Sequence, residues 1–397
     1  MTVSSDEEGP QEEHDHEPPS DDEYNVSPLE LFFDLVFVFA FTQVTALLAE
    51  DLTWVGLVRG TALLLVVWWA WVGYSWLTNA VRVDDIIPAR IVVFGAMGAG
   101  LVMALAIPRA FNDDGVLFGF AVFAVTGLFV LLYLVATRDR PEMHRAVVLL
   151  APGGLLGPIL LIIAGFIDPG PVRATLWTVA LIVTLGAPFV SGTQGWYIRP
   201  GHFAERHGLI IIIALGESLV ALGLSASEEQ QTFTVVTASL MGLALVACLW
   251  WIYFDVVSRV AEMVLARLEG SERNAVARDV YSYIHFFMIL GIVLVALGLK
   301  KSLLGVDKPL AVVASVGLFG GAALYLLGHM TARLRLMGGI NPWRLALTIM
   351  LLCLIPVGTQ IPAYVSVSLL LVLLVAGIGQ ALYAYREQRH RIRYHTH

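Results

Sequence analysis

Apolar residues run along this chain in long, nearly unbroken stretches, and the polar ones collect between them. Twelve such stretches occur, at about 29–49, 53–78, 88–108, 116–137, 145–166, 172–190, 207–226, 232–255, 279–299, 309–330, 343–360 and 362–385. Each approaches the roughly 20 residues that an α-helix needs to cross a hydrocarbon core. None alternates apolar and polar residues at every second position, as a strand of a membrane barrel would. The pattern predicts an all-α protein, a polytopic transmembrane helical bundle of about 12 spans.

Composition agrees. Of 397 residues, 58% are hydrophobic and only 14% charged, and the mean hydropathy is +0.77. A protein bathed in water needs a more polar surface than this balance allows, so lipid is the expected solvent. Cys248 and Cys353 both fall inside apolar stretches, which excludes a disulfide framework and a cysteine metal site. There is no phosphate-cradling glycine loop, no His-Glu-x-x-His and no nucleophile elbow. No cofactor, metal or nucleic-acid partner is expected. The histidines of the two ends, His14, His16, His390, His395 and His397, sit in tails that offer a metal no fixed geometry. The expected partners are membrane lipids and an ion or small solute.

The net charge of −8 hides an uneven distribution. Ten acids and no Lys or Arg fall within the first 23 residues, leaving 24 basic against 22 acidic residues in the remainder. Such a head buries too little apolar surface to fold, so residues 1–27 are predicted to be a disordered acidic tail. It lacks the basic start of a cleaved signal peptide. With the N-terminus inside, the loops on that side hold 18 Arg, and the other side holds Arg59, Arg109, Arg173, Lys300, Lys301 and Lys308. The excess of basic residues in cytoplasmic loops then places both termini inside the bacterial cytoplasmic membrane. The tail at 386–397 reads as a basic patch against anionic lipid.

The two halves, 28–190 and 191–385, read as a parallel six-helix repeat. Glu30 and Glu205 each open a first span. Trp68-Trp69-Ala-Trp71 and Trp250-Trp251-Ile-Tyr253 close second spans, and Arg138-Asp-Arg140 and Arg333-Leu-Arg335 occupy matching loops. An even number of spans per half points the pseudo-axis along the membrane normal. Pro152, Pro158, Pro356 and Pro362 predict kinks or breaks in the fifth and eleventh spans. The tryptophans Trp68, Trp69, Trp71, Trp76, Trp250 and Trp251 are most simply read as interface anchors.

Ionisable residues at membrane depth are expensive, costing at least roughly 2.5 kcal/mol each on insertion scales, and are therefore candidates for function. Asp34 lies about 8 Å into the first span and shares a face with Glu30, with Thr42, Gln43 and Thr45 farther along. The alternative is that Asp34 pairs with an arginine such as Arg90 or Arg278 and only joins helices. Glu217 lies about 15 Å beyond His207, near the bilayer middle. A carboxyl held there is suited to exchange a proton or cation, and Gly216, Ser218 and Ala221 are small enough for close helix approach. The alternative is a neutral Glu bonded to a neighbouring helix. His285 sits six residues into the ninth span, and Asp255 at the end of the eighth is expected to face it. Glu205, Arg206 and His207 mark the mouth of the seventh span, where Glu205, like Glu30, suits a helix N-terminus. Aligned without gaps from Glu30 and Glu205, Thr42 corresponds to Glu217.

Three stretches carry a resemblance. Glu30-Leu-Phe-Phe-Asp34-Leu-Val-Phe-Val-Phe-Ala-Phe-Thr-Gln43, Glu205-Arg-His-Gly208-Leu-Ile-Ile-Ile-Ile-Ala-Leu-Gly216-Glu217-Ser218 and Trp250-Trp-Ile-Tyr-Phe-Asp255 resemble the low temperature requirement protein A (LtrA) family over residues 25 to 385. The resemblance implies a bacterial integral membrane protein linked by name to growth in the cold. Phe33-Asp34-Leu-Val-Phe is also faintly similar to the Phe-Ser-Asp signature of the lysosomal potassium-channel family, with Phe33 where that signature has serine.

These features together lead to an expected transporter or channel for a proton or cation, or for a small solute coupled to one. The expected ion or proton site is Glu217, with Asp34 and His285 forming a vestibule. A membrane-embedded enzyme acting on a hydrophobic substrate, with the same three residues as acid and base groups, and a structural or sensory membrane protein are the alternatives.

Overall fold

The computed structural model describes residues 25–384 and 386, so the acidic head and most of the basic tail lie outside the described residues. Among the described residues the chain is helical throughout and forms no strand. Twelve apolar helices fall where the hydropathy pattern predicts them. They are α1 (Pro28–Glu50), α2 (Trp54–Ala80), α3 (Ile87–Arg109), α4 (Gly115–Ala136), α5 (Pro141–Gly165), α6 (Pro171–Ser191), α7 (Pro200–Glu228), α8 (Phe233–Arg267), α9 (Gly270–Leu303), α10 (Val312–Met337), α11 (Pro342–Gly358) and α12 (Ala363–Ala384). Eleven are long and apolar enough to cross a membrane, and α11 is the shorter exception.

Several helices outrun the apolar stretches that predict them. Helix α7 begins at Pro200, seven residues before the apolar run, and α8 continues to Arg267. A hydropathy reading stops at charged residues, whereas backbone hydrogen bonding carries the helix through them. Helix α5 also runs unbroken through Pro152 and Pro158, contrary to the expected interruption. Helix α11 ends two residues beyond Pro356, and Pro362 stands just before α12.

Helix α9 is the centre of the bundle. From Met288 to Leu299 every residue is buried, as expected of a helix apolar on all sides. It packs against α1, α2, α7, α8, α10 and α12. Against α10 the approach is close: a Cβ on Gly291 would lie 2.7 Å from the carbonyl oxygen of Gly321, so glycine is required where these backbones meet. Both α8 and α9 contain π-helical stretches, Tyr253–Val257 and Ala277–Ile284. Such wide turns re-aim side chains and recur at functional sites.

Helices α1 and α7 run side by side and parallel. Glu30 meets His202, Asp34 meets Arg206, and Thr45 meets Glu217, each pair 172 residues apart. A constant difference means that both chains advance in the same direction; antiparallel neighbours would show a constant sum. Parallel α1 and α7 require an even number of membrane crossings between their starts, which six spanning helices provide.

Two cavities flank this core. A narrow one of about 110 Å³ lies among α2, α4, α5 and α6 and is bordered at one end by Asn274, Arg278 and Ser282 of α9. A wider one of about 490 Å³ lies among α8, α10, α11 and α12.

Candidate functional site

The polar interior begins at the cap of α1. Ser27 and Glu30 form a capping box: Glu30 N donates to Ser27 Oγ at 3.2 Å, and Ser27 N donates to Glu30 Oε2 at 2.9 Å. Glu30 is nonetheless buried, so its carboxylate has a second task. Oε2 accepts from His202 Nε2 at 3.0 Å, and Oε1 lies 3.1 Å from Arg206 Nη1. The other arm of the same guanidinium, Nη2, donates to Asp34 Oδ1 at 2.8 Å. One arginine thus bridges two carboxyls one helical turn apart, a use of its planar fork that lysine does not share. Neither Arg206 nor Asp34 has any solvent exposure.

Helix α2 completes the cluster. Trp71 Nε1 donates to Asp34 Oδ1 at 2.8 Å, and the Arg206 guanidinium lies 5.7 Å from the Trp71 ring centroid. Asn79 is oriented by the backbone of Arg199, whose N donates to Oδ1 at 2.8 Å. Its Nδ2 therefore faces His202 Nδ1 at 3.0 Å as the donor. With Nδ1 accepting, His202 carries its hydrogen on Nε2 and donates it to Glu30.

From this cluster a row of buried rings leads across the bundle. The His207 ring lies edge-on to Trp71 and Tyr281, each at 4.9 Å between centroids, and 5.4 Å from His285. His285 Nδ1 donates to Val280 O at 2.8 Å, and Nε2 lies 3.0 Å from Tyr253 Oη. Tyr253 in turn meets His329 edge-on at 5.8 Å. The π-helical stretches of α8 and α9 supply Tyr253, Val280 and Tyr281 to this row. Buried atoms with no hydrogen-bond partner within the protein recur along it: Asp34 Oδ2, Arg206 Nε, His207 Nε2, Tyr281 Oη and both ring nitrogens of His329.

Glu217 lies deeper on the α1–α7 seam. It is 2% exposed, its carboxyl meets the side chain of Thr45, and Oε2 has no hydrogen-bond partner. Thr45 donates its own hydroxyl to Phe41 O at 3.0 Å. Among the described residues Glu217 takes part in no ion pair within 4.0 Å.

The structure therefore brings Glu30, Asp34, Arg206 and His202 into one cluster, links His207 and His285 to it through rings, and keeps Glu217 apart. Several expectations are corrected. The partner of Asp34 is Arg206; Arg90 donates to Asp84 O and Arg278 to Asp279. Glu205 caps nothing on its own helix, because α7 starts five residues earlier; its Oε2 accepts from Val26 N at 3.2 Å. Tyr253, two residues before Asp255, is the group that reaches His285, while Asp255 lines the wider cavity. A Cβ on Gly216 would meet nothing within 4 Å, so that glycine serves no close helix approach. Trp68 and Trp71 are completely buried, and Trp68 and Trp76 donate to Ser282. They are core donors rather than interface anchors; Trp250 and Trp251 keep outward positions. Ser218 and Thr42 donate to carbonyls of their own helices, at Ala214 and Val38, and Gln43 is half-buried. His202, Asn79 and His329 were not singled out from sequence, although His202 precedes Arg206 by one helical turn and His329 is as visible within its span as His285.

No group of three or more potential metal ligands occurs among the described residues. An all-helical bundle with eleven apolar helices of spanning length, enclosing ion pairs at a helix seam, defines a multi-pass membrane protein. The chain belongs to the family described as bacterial low temperature requirement A protein (LtrA), whose model matches residues 25–378. It is 31% identical over 323 residues to an uncharacterized protein of Rhizobium meliloti (strain 1021), covering 78% of this chain and 77% of that one. No solved structure matches it.

Proposed function

We propose that this protein is a transporter or channel of the bacterial cytoplasmic membrane, with both termini inside, that moves a proton or cation, or a small solute coupled to one. The observation that carries this reading is the unequal treatment of three carboxyls on one seam. Glu30 and Asp34 share Arg206, whereas Glu217, farther along, makes no ion pair among the described residues and feels Lys300 only from beyond ion-pair distance. An acid buried without a fixed counter-ion is a place where a proton or cation binds and leaves. The paired acids at the seam's entrance hold α1 and α7 together, and His207 and His285 extend a polar lining from it. A role in growth at low temperature, after which the family is named, belongs to the same proposal.

Two six-helix halves are part of this reading. The narrow cavity lies among the second, fourth, fifth and sixth helices of the first half, and the wide one among the corresponding helices of the second. Helices α1 and α3 pack together, as do α7 and α9. An enzyme using Asp34, His285 and Glu217 jointly finds no support, since the three occupy separate settings.

The test is flux in proteoliposomes of purified protein, with imposed proton, sodium and potassium gradients. Glu217→Gln, which preserves shape and removes the acid, is expected to abolish or decouple the flux while leaving thermal stability near wild type. Wild-type flux from this variant would sink the role of Glu217, and absence of any flux from the wild-type protein under every gradient would sink the reading itself.

A further inference from the structure

The motif Trp250-Trp-Ile-Tyr-Phe-Asp255 has two destinations, and only one belongs to the row of buried rings. Tyr253 turns inward to His285, while Trp251 and Asp255 line the 490 Å³ cavity among α8, α10, α11 and α12. That cavity has the size of a small-molecule site, for which about 300–1,000 Å³ is usual. Most of its wall is apolar, including Leu326, Leu347, Met350 and Leu373. Its polar groups gather toward the ends of α10 and α11, where Arg333, Asn341, Trp343 and Arg344 join Asp255.

From this arrangement we infer that the cavity binds an anionic membrane lipid, its phosphate against Arg333 and Arg344 and an acyl chain along the wall of α11 and α12. The charge balance selects the sign. Two guanidiniums against one carboxylate leave the lining with a formal excess of one positive charge, whatever contacts these groups make with each other. A guanidinium fork matches a phosphate in geometry as well as charge, and basic pockets between membrane helices are suited to anionic headgroups. The apolar wall selects an amphiphile over a free anion, because a phosphate alone would leave that surface without a partner. The chain's own C-terminal tail is an unsuitable occupant, since its arginines carry the same sign as the cavity. This inference does not depend on the transport reading.

Native mass spectrometry of the purified full-length protein, titrated with phosphatidylglycerol, phosphatidylcholine or inorganic phosphate, tests it. Wild type is expected to retain phosphatidylglycerol in preference to phosphatidylcholine and to retain no phosphate. Arg333→Gln with Arg344→Gln should weaken phosphatidylglycerol binding roughly ten- to a hundredfold, as loss of charge-assisted hydrogen bonds implies. Arg335→Gln, which removes one positive charge from α10 outside the cavity, should leave it unchanged. Leu347→Trp, which fills the wall and leaves every charge in place, should also abolish retention, and it decides the matter if the double variant fails to fold. Undiminished binding in the foldable cavity variants, or an equal loss in Arg335→Gln, overturns the site. Phosphate bound as tightly as the lipid, and unaffected by Leu347→Trp, overturns the lipid in favour of a free anion.

Discussion

Arg206 Nη2 lies 2.8 Å from Asp34 Oδ1, and neither side chain has any solvent exposure. The same guanidinium faces Glu30 through its other arm at 3.1 Å, so one residue of α7 bridges two of α1. Removing the partner of a buried charge costs about 3–5 kcal/mol, because the remaining charge stays desolvated. Arg206→Met is therefore expected to lower stability by about that amount, measured by thermal unfolding in detergent. Adding Glu30→Gln and Asp34→Asn should restore much of the loss. A wild-type melting temperature for Arg206→Met alone would show that the pair does not hold the seam.

Trp71→Phe keeps an aromatic ring in the core and deletes the donor to Asp34 together with part of the indole's volume. A hydrogen bond to a charged group is worth about 1.5–3 kcal/mol, and the variant should lose that much. A double-mutant cycle with Asp34→Asn should return a coupling energy of at least about 1 kcal/mol. Additive losses would mean that Trp71 acts through packing alone.

At the centre of the bundle, Gly291→Ala would put a methyl 2.7 Å from the Gly321 carbonyl oxygen. The backbones of α9 and α10 would have to separate, at a cost of about 1–3 kcal/mol for overpacking. Gly216→Ala, where the new methyl meets nothing within 4 Å, should be neutral or slightly stabilising, since alanine favours the helix by about 1 kcal/mol over glycine. Unfolding midpoints for the two variants in the reverse order would contradict the close crossing.

Tyr253→Phe removes the hydroxyl that stands 3.0 Å from His285 Nε2 and leaves a buried ring nitrogen without a partner. The expected loss is about 1–3 kcal/mol, and it should vanish in a His285→Phe background. Persistence of the full loss there would place the tyrosine's contribution elsewhere.

The predicted and observed elements agree best where burial in lipid is a property of each stretch by itself. Twelve apolar runs became twelve helices, because a backbone in hydrocarbon satisfies its own hydrogen bonds within each segment. Ends were less legible, as at α7, where Pro200 to Arg206 extend the helix although His202, Glu205 and Arg206 interrupt the apolar pattern. Asp34, Glu217 and His285 were visible as anomalies of composition, since acids and imidazoles are rare at membrane depth. Their partners were not visible. Trp71 reads in sequence as one of a belt of aromatic anchors, and only its placement opposite α1 makes it a donor to Asp34.

What the sequence by itself determined is the helical class, the number and places of the helices and which depths carry acids. These follow from local hydropathy and from spacing along one chain. Only the tertiary structure decided that Arg206 belongs to Asp34 and Glu30, that Glu217 stands apart from them, and that Asp255 lines the wide cavity. Those pairings join residues on different helices, often more than 170 positions apart, and they depend on which faces of α1 and α7 meet. In an apolar chain many faces pack almost equally well by hydropathy alone, so the choice among them rests on interdigitation and on ion pairs that exist only once the helices are side by side.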